Sequence, residues 1–171
     1  MLPWGIRLDV KQEQGAGLEV PCRQTTALAA QLIREGQAPA GVKVLGLFEA
    51  YDRCPTVVKA CREQRFDVAS ILKSHRTLWK SSWQLTAGRY GRHLLRRRRP
   101  ATLILTKPHG SARYRFVEAG GLTVGHLGRL HVVFSRTGTA KKLLGLVTNA
   151  PELSAAQLIQ TYDRRWTIEI V

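Results

Sequence analysis

The sequence predicts an α/β fold in which helices and strands alternate, followed by a strand-rich stretch and a terminal helix. An apolar run at 42–48 stands between two segments with helical periodicity. Turn signals divide the region from about 100 to 138 into short strands. The chain has 171 residues with 44% hydrophobic content, which is enough for one domain with a real core. Helix–strand alternation of this kind is typical of a mixed or parallel sheet covered by helices.

The first elements are two predicted strands separated by a helix. Residues 6–11 alternate between apolar and polar side chains, as in a half-exposed strand. Thr25 or Thr26 can cap a helix that ends near Gly36. The run 42–48 is nearly all apolar, so we expect a central strand that is buried on both faces.

A second helix and strand complete a βαβ-type unit. Pro55 opens a helix that extends to Gln64, and residues 66–72 form the next strand. Cys54 and Cys61 lie seven residues apart on one face of this helix, where we expect core packing. The three cysteines form no CxxC pair and the five histidines are scattered, so the sequence indicates a reducing compartment and no zinc site.

The following region reads as a β-rich segment that ends in a last core strand. The predicted strands are 102–106, 113–119, 128–135 and 143–148. The turn signals between them are Pro108-His109-Gly110, Gly120-Gly121 and Thr137-Gly138.

The terminal segment predicts an amphipathic helix that begins at Pro151. At 3.6 residues per turn, Tyr162, Arg165 and Glu169 share one face. An apolar stripe runs beside that face, made of Leu158, Ile159, Trp166 and Ile170. From spacing alone, a surface salt bridge on an amphipathic helix is favoured over a functional site as the explanation of the three polar residues.

The charge balance points to an anionic partner. There are 27 Lys and Arg against 12 Asp and Glu, a formal net charge of +15, and a surface this basic attracts phosphate backbones. Residues 68–117 contain twelve Lys and Arg and no acidic residue, with five interleaved aromatic residues, namely Trp79, Trp83, Tyr90, Tyr114 and Phe116. The run Arg96–Arg99 alone could be a solvated loop. No apolar run reaches the roughly 18 residues of a membrane helix and no signal-peptide layout opens the chain, so nucleic acid is favoured over membrane.

Metal-dependent cutting of nucleic acid needs carboxylates at the mouth of a sheet. Two Mg²⁺ ions about 3.5–4 Å apart activate water and stabilise the leaving oxygen. Glu49, where the apolar strand ends, and Glu169, on the terminal helix, are the two best candidates. Asp9 and Asp52 are weaker ones.

The spacing Tyr162-x2-Arg165-x3-Glu169 resembles the signature of DDE-type insertion-sequence transposases of the insertion-sequence-four group. Other segments resemble the same family in the same order, so that the resemblance covers nearly the whole chain. These segments are 42–51 (VKVLGLFEAY), 71–76 (ILKSHR), 131–135 (HVVFS) and 144–148 (LGLVT).

The resemblance implies an RNase H-like core, incomplete because its first strand is missing, with a β-strand-rich insertion before the Glu-bearing helix. It makes 1–171 a partial catalytic domain with 75–135 as the basic insertion. Glu49 falls on the second catalytic acid and Glu169 on the third, and together they would bind Mg²⁺. The predicted DNA-binding residues are Tyr162, Arg165, Lys73, Arg76, Arg96, Arg97, Arg98 and Arg99.

Departures from the family pattern limit the expected activity. The family has Asp where this chain has Glu49, no residue matches the first acid, and the Lys that follows the signature has no counterpart after Val171. We therefore expect a transposase fragment, truncated at both ends, that does not catalyse Mg-dependent strand cleavage and transfer alone. The alternative is a non-catalytic basic nucleic-acid-binding protein. DNA at transposon ends is the expected partner, with self-association as a further one, in the bacterial cytoplasm at the nucleoid.

Overall fold

The fold is mixed α/β, with four helices and a strand-rich sheet in the part of the chain described. The computed structural model describes residues 25–48, 55–80, 83–107, 110–125, 128–138 and 143–168, without the side chains of Thr25 and of residues 165–168. The described residues fall into two compact units, one formed by 25–46 with 55–67 and the other by 47–48 with the described residues from 68 to 168. The predicted strand 6–11, with Asp9, lies outside the described residues. No helix among the described residues has the length and apolarity of a membrane span.

The first unit is built on a pair of helices, α1 (Thr25–Glu35) and α2 (Pro55–Glu63). Both were predicted, and both are confirmed. The Arg34 Nε atom lies 2.7 Å from a Glu63 carboxylate oxygen, and the Gln64 side chain donates to the Arg34 carbonyl at 3.0 Å. Cys61 is buried on the inner face of α2, as predicted, and this burial raises the pKa of its thiol.

Eight described strands form one sheet. They are β1 (Leu45–Phe48), β2 (Asp67–Leu72), β3 (Thr77–Lys80), β4 (Trp83–Thr86), β5 (Ala101–Lys107), β6 (Gly110–Val124), β7 (Arg129–Thr137) and β8 (Leu144–Thr148). Their order is β1-β2-β8-β7-β6-β3-β4, and β5 pairs with β6 beside this path. Every strand pair whose register is described is antiparallel, so these pairs do not show the parallel arrangement that was expected.

Strand β6 organises the second unit because it has three partners. Its first half pairs with β5, its end pairs with β3, and β7 runs along it from Tyr114 to Thr123. The turn predicted at Gly120-Gly121 is wrong, since the strand continues through both glycines with a register shift between Ala119 and Leu122. Gly121 has φ +70. The positive φ that favours glycine in a turn also suits a β-bulge, so the sequence signal is the same for both.

The other two helices, α3 (Ala87–Arg97) and α4 (Ala155–Ile168), cover opposite faces of this sheet. The Tyr90 ring of α3 meets the Phe134 ring edge-on, with centroids 6.0 Å apart. Phe134 pairs directly with Val117, whereas Tyr114, three residues before Val117, bonds to Asp163 of α4. Because side chains alternate along a strand, these contacts lie on different faces.

Two helices differ from the prediction, one in its start and one in its existence. Helix α4 begins at Ala155 and not at Pro151, which lies in a turn. The Ser154 hydroxyl accepts from the backbone N–H of Gln157 at 3.3 Å. In return, the side-chain oxygen of Gln157 accepts from the backbone N–H of Ser154 at 3.0 Å. This reciprocal cap fixes the start of the helix. Helix α3 was not predicted, because Gly88 and Gly91 lower its helix propensity.

The burial predicted for the run 42–48 is also wrong. Strand β1 spans only Leu45–Phe48, its four residues are half-buried, and Val42 before it is exposed. Among the described strands β1 stands at one end of the sheet order. An apolar run shows that a strand has hydrophobic neighbours, but it does not show how many strands flank it.

Candidate nucleic-acid interface

A cleft of about 640 Å³ opens between helix α3 and the β3–β4 hairpin. Its lining combines cationic and aromatic side chains: Lys80, Trp83, Leu85, Arg89, Tyr90, His93, Leu94, Arg97 and Arg98. No acidic residue is among them. The cleft lies within the second compact unit and inside the acid-free stretch 68–117.

Helix α3 is amphipathic, which places its basic residues at the cleft. Thr86 caps the helix, its hydroxyl accepting from the Arg89 amide at 3.4 Å. Tyr90 and Leu94 are buried against the sheet. Exposed Arg89, His93 and Arg97 follow at i, i+4 and i+8, so they form one ridge beside the buried face.

Close packing at Gly91 holds this helix against the sheet. A Cβ atom added at Gly91 would lie 2.5 Å from Phe134 Cδ1 and 2.7 Å from Leu143 Cδ2. Gly88 is also tight, with a hypothetical Cβ 3.1 Å from the Ser74 carbonyl oxygen. The missing side chains therefore set how near the helix backbone comes to β7.

The hairpin supplies the aromatic wall of the cleft. Lys80 pairs with Trp83 and Leu78 pairs with Leu85, so these four side chains share one hairpin face. The rings of Trp83 and Tyr90 lie with centroids 4.7 Å apart at an interplanar angle of 44°. Since Tyr90 also contacts Phe134, the aromatic wall connects directly to the hydrophobic core.

The electrostatics of the cleft favour an anion. Lys80, Arg89, Arg97 and Arg98 bring four cationic side chains to one opening. Arg98 also donates to the Glu118 carbonyl oxygen at 3.0 Å, which fixes its side chain at the rim. Lysine and arginine neutralise phosphates, and aromatic rings stack on unpaired bases. The arrangement is chemically suited to a nucleic-acid strand.

The structure brings some of the predicted DNA-binding residues together here. Arg97 and Arg98 line the cleft, and Arg99 lies with Arg98 at a neighbouring depression of about 250 Å³. Arg96 is exposed in the last turn of α3. The interpretation of this arginine run as a solvated loop is therefore wrong. Arg96 and Arg97 are helical, and Arg98 is held at the cleft by its hydrogen bond to the Glu118 carbonyl.

Lys73 and Arg76 lie in the turn that precedes β3. The Arg76 amide donates to the Lys73 carbonyl at 3.0 Å, and the Ala87 amide donates to the Arg76 carbonyl at 2.7 Å. Both side chains are half-buried, and neither lines the cleft. Lys80, Trp83, Arg89 and His93 do line it, although they were not among the predicted DNA-binding residues. The i, i+4, i+8 spacing on α3 was the signal that could have found two of them.

The face of α4 that carries the family-like signature is described only in part. Tyr162 is 2% exposed, and its hydroxyl donates to the Phe48 carbonyl at 3.2 Å. A DNA contact by this ring stays a prediction. Arg165 lies in α4 without a described side chain, and all four candidate acids lie outside the described residues, namely Asp9, Glu49, Asp52 and Glu169. Elsewhere in the described ranges, no three His, Cys, Asp or Glu side chains gather as a metal site would require.

Asp163, the neighbour of Tyr162, ties α4 to the β5–β6 hairpin. One carboxylate oxygen accepts from Lys107 Nζ at 2.8 Å and from the Tyr114 hydroxyl at 2.6 Å. Burial, together with this hydrogen bond and the negative charge of Asp163, raises the pKa of Tyr114 well above its ordinary value.

The raised pKa of Tyr114 predicts a loss of stability at alkaline pH. An unfolded tyrosine ionises near pH 10, while the folded one stays protonated, so the unfolding free energy should fall as pH rises above about 10. Lysines also titrate there, so the informative quantity is the difference between wild type and Tyr114→Phe in urea unfolding at several pH values. The phenylalanine variant should show a shallower fall, and equal slopes would contradict the prediction.

Comparison with known proteins adds no relative. No protein-family model matches the chain, and no curated protein matches it. The resemblance to insertion-sequence transposases thus rests on the residues quoted above and stays a hypothesis.

Proposed function

We propose that this chain is a DNA-binding piece of a DDE-type transposase catalytic domain with an RNase H-like core. DNA binding is supported by the cleft beside α3, where four cationic side chains lie around the tilted ring pair of Trp83 and Tyr90. A phosphate backbone would follow the arginine ridge of α3, and an exposed base would meet Trp83.

The transposase lineage is supported by a contact between two elements of the proposed active site. The hydroxyl of Tyr162 bonds to the carbonyl of Phe48, the residue immediately before Glu49. Tyr162 also stands seven residues before Glu169 on the terminal segment. One hydrogen bond thus links the strand that leads to one proposed acid with the helix that leads to the other.

Two carboxylates are the oxygen donors that Mg²⁺ prefers, so Glu49 and Glu169 fit the ion chemically. When bound, the ion would activate water and stabilise the leaving oxygen of a phosphodiester. The chain's own part would be to hold the DNA by its basic cleft and to orient the two carboxylates. We expect no strand cleavage by this chain, because no residue matches the first acid and Glu49 is one methylene longer than the family's Asp.

The test measures DNA binding and cleavage together, by fluorescence anisotropy and gel analysis of a labelled duplex with and without Mg²⁺. We expect binding that weakens with salt, an affinity that Mg²⁺ changes through Glu169, and no cleavage. In Glu169→Gln, Mg²⁺ should only weaken binding as any added salt does, while binding in the absence of Mg²⁺ persists.

The alternative is a non-catalytic basic nucleic-acid-binding protein, and the same assay distinguishes it. It predicts that Glu169→Gln behaves like wild type with and without Mg²⁺. Preferential binding of RNA over DNA in competition would also favour this alternative. Robust Mg²⁺-dependent cleavage by the wild-type chain would overturn the expected inactivity.

A further inference from the structure

We propose that β5 is a self-pairing edge, through which two copies of this chain join their sheets about a two-fold axis at Ile104. The partner is a second copy of the chain, bound in antiparallel orientation. This inference does not depend on the proposed function, because it follows from the register and sequence of one strand.

The first observation is that one edge of β5 has no partner among the described strands. Among the described strands its partner is β6, along the full seven residues from Ala101 to Lys107. Only two residues separate the paired Lys107 and Gly110, so that pair must be of the hydrogen-bonded type. The alternation then directs the amide and carbonyl groups of Thr102, Ile104 and Thr106 away from β6.

The second observation is that this edge is palindromic. Residues 102–106 read Thr-Leu-Ile-Leu-Thr, the same in both directions. An antiparallel copy centred on Ile104 places Ile104 opposite itself, Thr102 opposite Thr106 and Leu103 opposite Leu105. The amide and carbonyl groups that point away from β6 belong to Thr102, Ile104 and Thr106. This register pairs Ile104 with itself and Thr102 with Thr106, so each outward amide meets an outward carbonyl of the second copy. Thr–Thr and aliphatic pairs of this kind stabilise neighbouring strands.

The third observation is that nothing on β5 protects the edge. Natural edge strands carry charges, prolines or bulges that prevent pairing with another chain. Residues 101–106 contain none of these, and Ile104 is 56% exposed. Lys107, the one charged residue of the strand, forms an ion pair with Asp163 of α4. In the proposed register it would lie opposite Ala101 and not opposite a second lysine.

The symmetry has a consequence for the basic residues. Directly opposite side chains in an antiparallel pair lie on one face, so the two-fold axis is perpendicular to the sheet. Thr102 and Ile104 pair with Arg115 and Arg113 of β6, and these side chains share the face that α3 covers. The dimer would therefore present the basic faces of both copies on the same side.

Analytical ultracentrifugation over a dilution series tests the proposal. We expect a monomer–dimer equilibrium that shifts toward dimer as salt rises, because salt screens the repulsion between two chains of charge +15. Ile104→Lys should sediment as a monomer, since two like charges would face each other at the axis. Ile104→Glu should do the same.

An equimolar mixture of Ile104→Lys and Ile104→Glu is the decisive measurement. Because residue 104 faces itself, the mixture should restore a one-to-one heterodimer that neither variant forms alone. Gln84→Lys, at an exposed position of β4, the last strand in the sheet order, is the matched control and should leave the dimer intact. A wild-type chain that is monomeric throughout, a dimer that survives Ile104→Lys, or a mixture that stays monomeric would each overturn the proposal.

Discussion

Reversing two charges of the cleft with Arg89→Glu and Arg97→Glu should weaken DNA binding by about 100-fold at low salt. Both arginines line the cleft on one ridge of α3, and both are exposed, so the fold does not depend on them. Each phosphate contact contributes about 0.9 to the slope of log affinity against log salt, so the slope should fall by about two. Anisotropy titrations at several salt concentrations measure both quantities.

A matched control separates a local contact from the effect of net charge. Lys59→Glu combined with Arg129→Glu changes the net charge equally, but neither residue lines the cleft. We expect this control to retain most of the affinity and nearly all of the salt slope. Equal losses in the two double variants would mean that DNA binds the chain through its overall charge and not through the cleft.

Enlarging Gly91 should destabilise the second unit and displace α3. The added Cβ of Gly91→Ala would overlap Phe134, which is 1% exposed and has no room to move aside. Overpacking of this kind costs about 1–3 kcal/mol, and the better helix propensity of alanine recovers about 1 kcal/mol. We expect a net loss of about 1 kcal/mol for Gly91→Ala and of about 3 kcal/mol for Gly91→Leu, measured by urea unfolding.

Gly120→Ala is the control for this series. No atom lies within 4 Å of a Cβ built at Gly120. The substitution should therefore change the unfolding free energy by less than about 0.5 kcal/mol. If Gly91→Leu were as stable as wild type, the close approach of α3 to β7 would be wrong.

The sequence predicted the elements that have one clear period. Helices α1 and α2 and strands β5, β7 and β8 follow from apolar spacing and turn residues, whereas β6 extends through the turn predicted at Gly120-Gly121. Helix α3 was not predicted, because its two glycines look like helix breakers in the sequence. In the structure they allow close packing against Phe134 and Ser74. That requirement is tertiary and cannot be read from local propensity.

The candidate cleft was predictable in composition but not in geometry. The absence of acids from 68 to 117 identified the basic region correctly. Which cations converge depends on how the β3–β4 hairpin faces α3, and hence on the contact between Trp83 and Tyr90. The predicted acids Glu49 and Glu169 lie outside the described residues, so the catalytic part of the hypothesis is still carried by sequence alone.

Tyr90 contacts the Trp83 ring and also the Phe134 ring. This one residue therefore lines the cleft and belongs to the hydrophobic core as well. A change that improves recognition at this position alters the packing that keeps the helix in place, so affinity and stability cannot vary independently there. Trp83 is half-buried and contacts the Tyr90 ring from the hairpin side. Selection on ligand preference would therefore act more freely on the hairpin than on the helix, and the hairpin is where related chains should differ most.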